Sequence, residues 1–277
     1  MVGENFAFVI SVKNYRRFIG VFVLGAVLSG GCIAGEGASG QFLSDQEFPE
    51  LRVTINAFEK EIENAPVDRL KLNQISNFVF AQLAPQSELL AAEAADRFAD
   101  ALAAKKDVAG QQDSYQDMAA FMHKVSARFQ LVGNPLPLTG VTTGGAQFDL
   151  KSLKGKVVIV DIFATWCAPC VTTMHKELDA VYRQHNANGL EIVALSVDED
   201  RGALDKFMAE KQDPWTILHD QAKPGKHQIV DDYQFSTLPT VIIIGRDGNV
   251  VTTLGKDGLT GKINDLMAVE TAEPTDQ

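Results

Sequence analysis

The sequence predicts a small all-α region followed by an α/β domain in which helices flank a mixed β-sheet. Three observations lead to this fold class. Residues 44–131 space their apolar side chains at steps of three and four, which is typical of amphipathic helices. Glycine and prolines at 133–137 end that pattern. Beyond them, apolar runs and helical stretches follow in the order strand, helix, strand, helix, strand, strand, helix, with a hairpin and a short helix in addition.

The first part is predicted to be a four-helix domain over residues 44–132. Ser44 and Glu47 form a capping-box pattern before the first helix, and Pro66 separates it from the second. In the second helix we expect Leu70 and Ile75 to point inward. This region contains no cysteine, and we interpret its phenylalanine and methionine stripe as core.

The α/β domain is assigned to residues 133–270 and an acidic tail to 271–277. A hairpin is expected around Gly144 and Gly145, and the apolar run at 157–163 is interpreted as a buried strand that contains Asp161. Further strands are expected at 191–197, 240–244 and 250–254, and helices at 170–185, 202–211, about 225–233 and 260–269.

Composition limits the possible functions. The chain has 277 residues, with 36 acidic against 25 basic side chains and a formal net charge of −11. Such an acidic chain lacks the basic surface that nucleic-acid phosphates require, so we expect no nucleic-acid partner. Three cysteines are too few for a disulfide scaffold of this size.

Residues 1–31 are predicted to be a lipoprotein-type export signal, followed by a tether at 32–43. An uncharged stretch follows three basic residues, and Leu28-Ser29-Gly30-Gly31-Cys32 resembles the lipobox of bacterial lipoproteins. The resemblance implies that Cys32 is acylated and anchors the chain to a membrane. The lipobox usually has an aliphatic residue three positions before the cysteine, and here Ser29 stands there. The alternatives are an uncleaved signal anchor and a simple cleaved signal peptide. All three export the rest of the chain, and we expect it to be membrane-anchored in the cell envelope, facing the periplasm or the exterior.

The chemistry lies in Trp166-Cys167-Ala168-Pro169-Cys170, where a buried strand is followed by a helix. Two sulfurs at this spacing can close into a disulfide with little backbone movement. Cys167 at the helix start gains thiolate stabilisation from unpaired N–H groups and the helix dipole, and is the expected nucleophile. Pro169 stiffens the loop. Cys170, one turn further, is the expected resolving thiol.

This motif resembles the thioredoxin superfamily, and the longer match from Gly155 through Cys167 resembles its membrane-tethered TlpA/ResA-like thiol–disulfide oxidoreductases. The resemblance implies a thioredoxin-like sheet and an exposed Cys167. It also implies a substrate rim shaped by Trp166, and a buried acid, Asp161, that moves protons when Cys170 is activated.

Leu238-Pro239 matches the cis-proline position of that family. A cis peptide there leaves the Leu238 N–H and C=O free to pair with an extended substrate strand. The family usually has a proline five residues after the second cysteine. Here His175 takes that place, and we interpret it as a surface residue on a helix without the usual kink. The run Asp198-Glu199-Asp200 is interpreted as a solvated turn.

These features predict an exported enzyme that reduces protein disulfides through the Cys167–Cys170 pair, without a metal or other cofactor. Its expected partners are protein thiols and disulfides and, for a reductase, a membrane electron donor. The residues before Cys167 do not match those of peroxiredoxins, and the spacing of the two cysteines does not match CxxxC copper carriers. A CxxC pair supplies only two of the four ligands of a zinc site. A disulfide oxidase or isomerase of the same fold, and a redox-inert binding protein, are the alternatives.

Overall fold

The computed structural model describes residues 48–106 and 114–268. The predicted export signal with Cys32, the tether, the Ser44 capping box and the acidic tail lie outside these residues. Within them, no helix is both long enough and apolar enough to span a bilayer.

Four helices form the first part, as predicted. They are α1 (Pro49–Asn64), α2 (Arg69–Asn77), α3 (Glu88–Ala103) and α4 (Tyr115–Phe129), and α2 continues into a π-helical segment at Phe78–Leu83. Ser87 and Ser114 cap α3 and α4 by accepting hydrogen bonds from backbone N–H groups.

The helices share one apolar core, to which Ile55, Ile75 and Phe98 contribute fully buried side chains. The expectation for Leu70 is wrong, because this side chain is exposed. Leu70 is the second residue of α2, one turn before the buried stripe of that helix begins at Ile75.

A small hairpin, β1 (Thr139–Val141) with β2 (Gln147–Asp149), precedes the central sheet, and its turn holds the predicted glycine pair. The sheet has five strands in the order β5-β4-β3-β6-β7. Their bounds are β3 (Val157–Phe163), β4 (Leu190–Ser196), β5 (Thr216–Leu218), β6 (Thr240–Ile244) and β7 (Val250–Thr252).

The sheet is mixed, as predicted. Strands β4 and β5 run parallel to β3, whereas β6 is antiparallel to β3 and β7 is antiparallel to β6. The sequence pattern predicts no strand at 216–218. That strand is three residues long, and its pairing with β4 rather than its own pattern defines it.

Helices cover the sheet, with bounds close to those predicted. They are α5 (His175–His185), preceded by a π-helical turn at Cys170–Met174, and α6 (Arg201–Lys211), α7 (Gln228–Asp232) and α8 (Leu259–Ala268).

Alternation along β3 decides which side chains lie beneath the cysteines. Ile159 and Phe163 belong to the same apolar cluster as Cys167 and Cys170, whereas Val158, Val160 and Ile162 belong to a cluster on the other face. Asp161 shares the parity of Ile159 and Phe163 and therefore faces the cysteine side of the sheet.

The helical part and the α/β part contact each other through polar groups at the end of β7. The Glu88 carboxylate accepts hydrogen bonds from the Thr253 backbone N–H and from the hydroxyls of Thr252 and Thr253. The buried Arg128 guanidinium donates to the Thr253 carbonyl and lies 4.7 Å from the centre of the Phe235 ring. Burial lowers the pKa of Arg128 to about 10, and Glu88 opposes that shift.

Candidate active site

The two cysteines form a disulfide at the point where β3 gives way to a helix. Their Cα atoms lie 5.3 Å apart, and the Cys167 carbonyl accepts hydrogen bonds from the N–H groups of Cys170 and Val171. Helical structure begins at Ala168, so Cys167 immediately precedes the first helical residue. The structure thus places Cys167 next to the unpaired N–H groups of the helix start, as the sequence predicts.

The expected exposure of Cys167 is wrong for this disulfide-bonded structure. Cys167 is 6 % exposed and Cys170 is 3 % exposed, and both belong to the apolar cluster under the helix. Each sulfur covers the other when the bond closes, and Leu238 packs against the same cluster. A substrate therefore has to approach Cys167 from the side of its exposed chain neighbours, Trp166 and Ala168. Trp166 itself is 69 % exposed.

The cis-proline expectation is confirmed, because the Leu238–Pro239 peptide is cis. Among the described residues, neither the N–H nor the C=O of Leu238 makes a hydrogen bond. The loop at Leu238 and the exposed Trp166 ring are therefore available for contact with an extended chain.

Asp161 is a buried acid with an orphaned oxygen. It lies in the middle of β3, between Ala194 of β4 and Val241 of β6, and its Oδ1 has no hydrogen-bond partner among the described residues. Burial, and secondarily the charge of Asp213, raise the pKa of Asp161 to about 7. An acid poised near neutrality can accept and return a proton, which is what general acid–base work requires.

His175 lies behind the disulfide in a polar pair. Its Nε2 atom is 2.8 Å from Oδ1 of Asp213, and the two side chains are 17 % and 5 % exposed. The imidazole ring also contacts Phe207 and Trp215. The surface interpretation of His175 is therefore wrong. Its backbone N–H donates to the Cys170 carbonyl and so closes the π-helical turn.

Asp198 anchors the loop that carries the motif. Its carboxylate accepts hydrogen bonds from the backbone N–H and the hydroxyl of Thr165, two residues before Cys167, and from the Ser196 hydroxyl. At 1 % exposure Asp198 is not solvated, so the interpretation of the run as a solvated turn is wrong for this residue. Glu199 and Asp200 are exposed, as that interpretation expects. The carboxyl ends of the parallel strands β3 and β4 meet here, which brings Asp198 to Thr165.

Replacing Asp198 with asparagine is expected to lower the free energy of unfolding by about 2 kcal/mol, because one buried carboxylate satisfies several donors and an amide nitrogen cannot accept. Urea unfolding measures the change. The matched control is Glu199→Gln, an exposed neighbour that we expect to stay within about 0.5 kcal/mol of wild type. Equal stability of both variants would contradict the anchoring role.

Comparison with known proteins agrees with this geometry. The redoxin family model matches residues 128–267, half of the chain. The thiol-disulfide oxidoreductase ResA of Bacillus subtilis is 32 % identical over 128 residues, which cover 45 % of this chain and 67 % of that protein. The chain belongs to the redoxin family. ResA of Bacillus cereus is 33 % identical over 39 % of this chain and 59 % of its own length.

Solved structures similar to this redoxin-family chain each cover about half of it. A putative thiol:disulfide interchange protein DsbE from Chlorobium tepidum is 25 % identical with a TM-score of 0.42, over 47 % of this chain and 92 % of its own. The thioredoxin domain of a thiol-disulfide oxidoreductase from Bacteroides vulgatus is 23 % identical with the same TM-score, over 47 % and 92 %.

The family model and the ResA relatives make the redoxin domain of this chain a thioredoxin-like oxidoreductase domain. Among the described residues, the structure places the cysteine pair and the Leu238–Pro239 step near the carboxyl end of β3, with Asp161 in the middle of that strand. Of the residues around the site, sequence reasoning misinterpreted Asp198 and did not identify Asp213. The signal for Asp198 was available, since acids that directly follow a buried parallel strand lie beside the end of the neighbouring strand. Asp213 lies between α6 and β5, where no pattern indicated its burial.

Proposed function

We propose that this protein is an extracytoplasmic thiol–disulfide oxidoreductase that reduces disulfides of other exported proteins. The observation that carries the proposal is the Cys167–Cys170 disulfide at a helix start, on the sheet face that also holds the buried Asp161. The electrons reside on the two sulfurs, so the proposed reaction needs no metal or organic cofactor.

The proposed reaction has two exchanges. In the reduced protein, the Cys167 thiolate attacks one sulfur of a substrate disulfide; a Cys167–substrate disulfide forms, the substrate S–S bond breaks, and the first substrate thiolate leaves and takes up a proton. Cys170 then loses its proton to the Asp161 carboxylate and attacks Sγ of Cys167. The Cys167–Cys170 bond forms, the second substrate thiolate leaves, and two electrons have passed to the substrate.

The other predicted residues hold the substrate in this scheme. An extended substrate segment pairs with the free N–H and C=O of Leu238, held by the cis Pro239 peptide, and packs on the exposed Trp166 ring. Pro169 keeps the loop between the cysteines in a helical conformation, at φ −65°. A dithiol electron donor at the membrane restores the reduced pair after each cycle.

Charge favours reduction of the substrate over its oxidation. A carboxylate at Asp161, with Asp213 nearby, disfavours a thiolate at Cys170 and so stabilises the disulfide relative to the dithiol. A strong oxidant has the opposite bias, since its reduced form is the stabilised one. The N-terminal export signal supports an extracytoplasmic location, where Cys32 supplies the membrane anchor.

Redox titration tests the direction of electron flow. The Cys167–Cys170 pair, equilibrated with a dithiothreitol series and followed by alkylation, is expected to have a potential nearer to the about −270 mV of thioredoxin than to the about −120 mV of DsbA. A value near that of DsbA would reverse the assignment to a disulfide oxidase. Failure to equilibrate with any thiol buffer would instead favour a redox-inert binding protein.

A further inference from the structure

The buried pair His175–Asp213 is not used by the reaction described above, yet it lies on the same face of the sheet. Trp215, which contacts the His175 ring, belongs to the apolar cluster that contains both cysteines. Phe207, the other ring against His175, lies 5.6 Å from Phe163, two residues beyond Asp161 on β3. The rings that hold His175 therefore pack on the same apolar cluster that supplies Ala194 and Val241, the strand neighbours of Asp161.

The chain also links His175 directly to the resolving cysteine. The hydrogen bond from the His175 N–H to the Cys170 carbonyl spans the whole π-helical turn, so the backbone of one residue positions that of the other. π-helical turns inside helices are frequent at functional sites. Cys170 and His175 thus bracket a single irregular turn, which packs on the same face of the sheet as Asp161.

We propose that His175 and Asp213 are positioning residues that set when Asp161 can take the proton of Cys170. Asp161 has no hydrogen-bond partner for Oδ1 among the described residues, so the state of its carboxyl depends on nearby charge rather than on a donor. The charge that acts on it is that of Asp213. His175, bonded to Asp213, decides how much of that charge is present. The role in catalysis rests on the proposed function, whereas the electrostatic coupling does not.

The surroundings of Asp213 support this order of action. Burial raises the pKa of Asp213; the hydrogen bond and charge of His175 lower it. Two further charged side chains act on Asp213, Asp179 from α5 raising its pKa and Lys211 at the end of α6 lowering it. Of these groups only His175 is hydrogen-bonded to it among the described residues.

The direct test is NMR titration of the Asp161 carboxyl in the full-length, disulfide-bonded protein labelled with ¹³C-aspartate, with the signal assigned from its loss in Asp161→Asn. Asp213→Asn removes a charge that opposes ionisation of Asp161, so we expect the Asp161 midpoint to fall by about one pH unit or more. The matched control is Asp96→Asn, which removes the acid of the exposed His123–Asp96 pair and leaves the midpoint unchanged.

A second variant keeps the test valid if Asp213→Asn fails to fold. His175→Phe preserves a ring against Trp215 and Phe207 but removes the partner of Asp213, so the Asp213 midpoint rises and the Asp161 midpoint falls. In Asp213→Asn, the added His175→Phe change should have no further effect on Asp161, because His175 acts through Asp213. A further shift in that double variant, or an unmoved Asp161 midpoint in either single variant, overturns the coupling.

The catalytic part is measured in a single exchange. A mixed disulfide of Cys167 with 5-thio-2-nitrobenzoate releases the coloured thiol when Cys170 attacks, and the pH midpoint of this release should move with that of Asp161. A release profile that stays in place while Asp161 shifts would overturn the positioning role. Failure of the proposed function looks different, because protein disulfides are then not reduced even though the coupling is intact.

Discussion

Replacing Cys167 with serine is expected to reduce disulfide-reductase activity to the rate of the uncatalysed exchange. The first bond to substrate forms at this sulfur, and a serine hydroxyl cannot form a disulfide. Insulin reduction by dithiothreitol, followed by turbidity, measures the loss. Because the chain has three cysteines, each variant is made with Cys32→Ala, so that 167 and 170 are the only remaining sulfhydryl positions.

Cys170→Ser is the informative companion of this variant. With the resolving thiol removed, the first exchange proceeds and the second cannot. A mixed disulfide between Cys167 and substrate should therefore accumulate, and a reductant should cleave it. Mass spectrometry under non-reducing conditions detects it. Equal activity in Cys167→Ser and in the Cys32→Ala parent would contradict the assigned roles. So would a substrate adduct of Cys170 in the Cys167→Ser variant.

Asp161→Asn is expected to change how stability depends on pH more than any other substitution at this site. The folded-state pKa of Asp161 is raised from 3.8 to about 7, so between these values the folded protein keeps a proton that the unfolded chain releases. Stability contributed by this group is complete below about pH 4 and declines as pH rises to 7. The decline amounts to about 4 kcal/mol, at about 1.4 kcal/mol per pH unit.

Asparagine has no proton to lose, so the variant lacks this decline. Its free energy of unfolding, relative to that of wild type, should therefore rise by about 4 kcal/mol between about pH 4 and pH 8. Urea unfolding of the disulfide-bonded proteins at several pH values measures this difference. For Asp96→Asn, at an exposed acid of the helical part, the free energy of unfolding should change with pH as it does in wild type. A parallel curve for Asp161→Asn would show that this carboxyl is ionised in the folded protein at acid pH.

The place of some of these residues in the fold could be predicted from the sequence, whereas the surroundings of others could not. The CxxC motif, the buried strand and the Leu238–Pro239 step are local patterns, and each lies where the sequence predicts it. The burial of Cys167 and the roles of His175 and Asp198 were interpreted wrongly. Each of these depends on a partner between 33 and 38 residues away or on closure of the disulfide, and no local pattern records such a contact.

The sequence by itself determined the order of strands and helices apart from the short β5, the mixed sheet and the position of the sulfur pair, because apolar periodicity and turn residues act over a few neighbouring positions. Only the tertiary structure decided the environment of that pair. Among the described residues it left one oxygen of Asp161 without a partner, brought Asp213 near it, and enclosed His175 between two aromatic rings. Burial and the distance between charges depend on how separate segments pack, and these two quantities set the pKa of an acid.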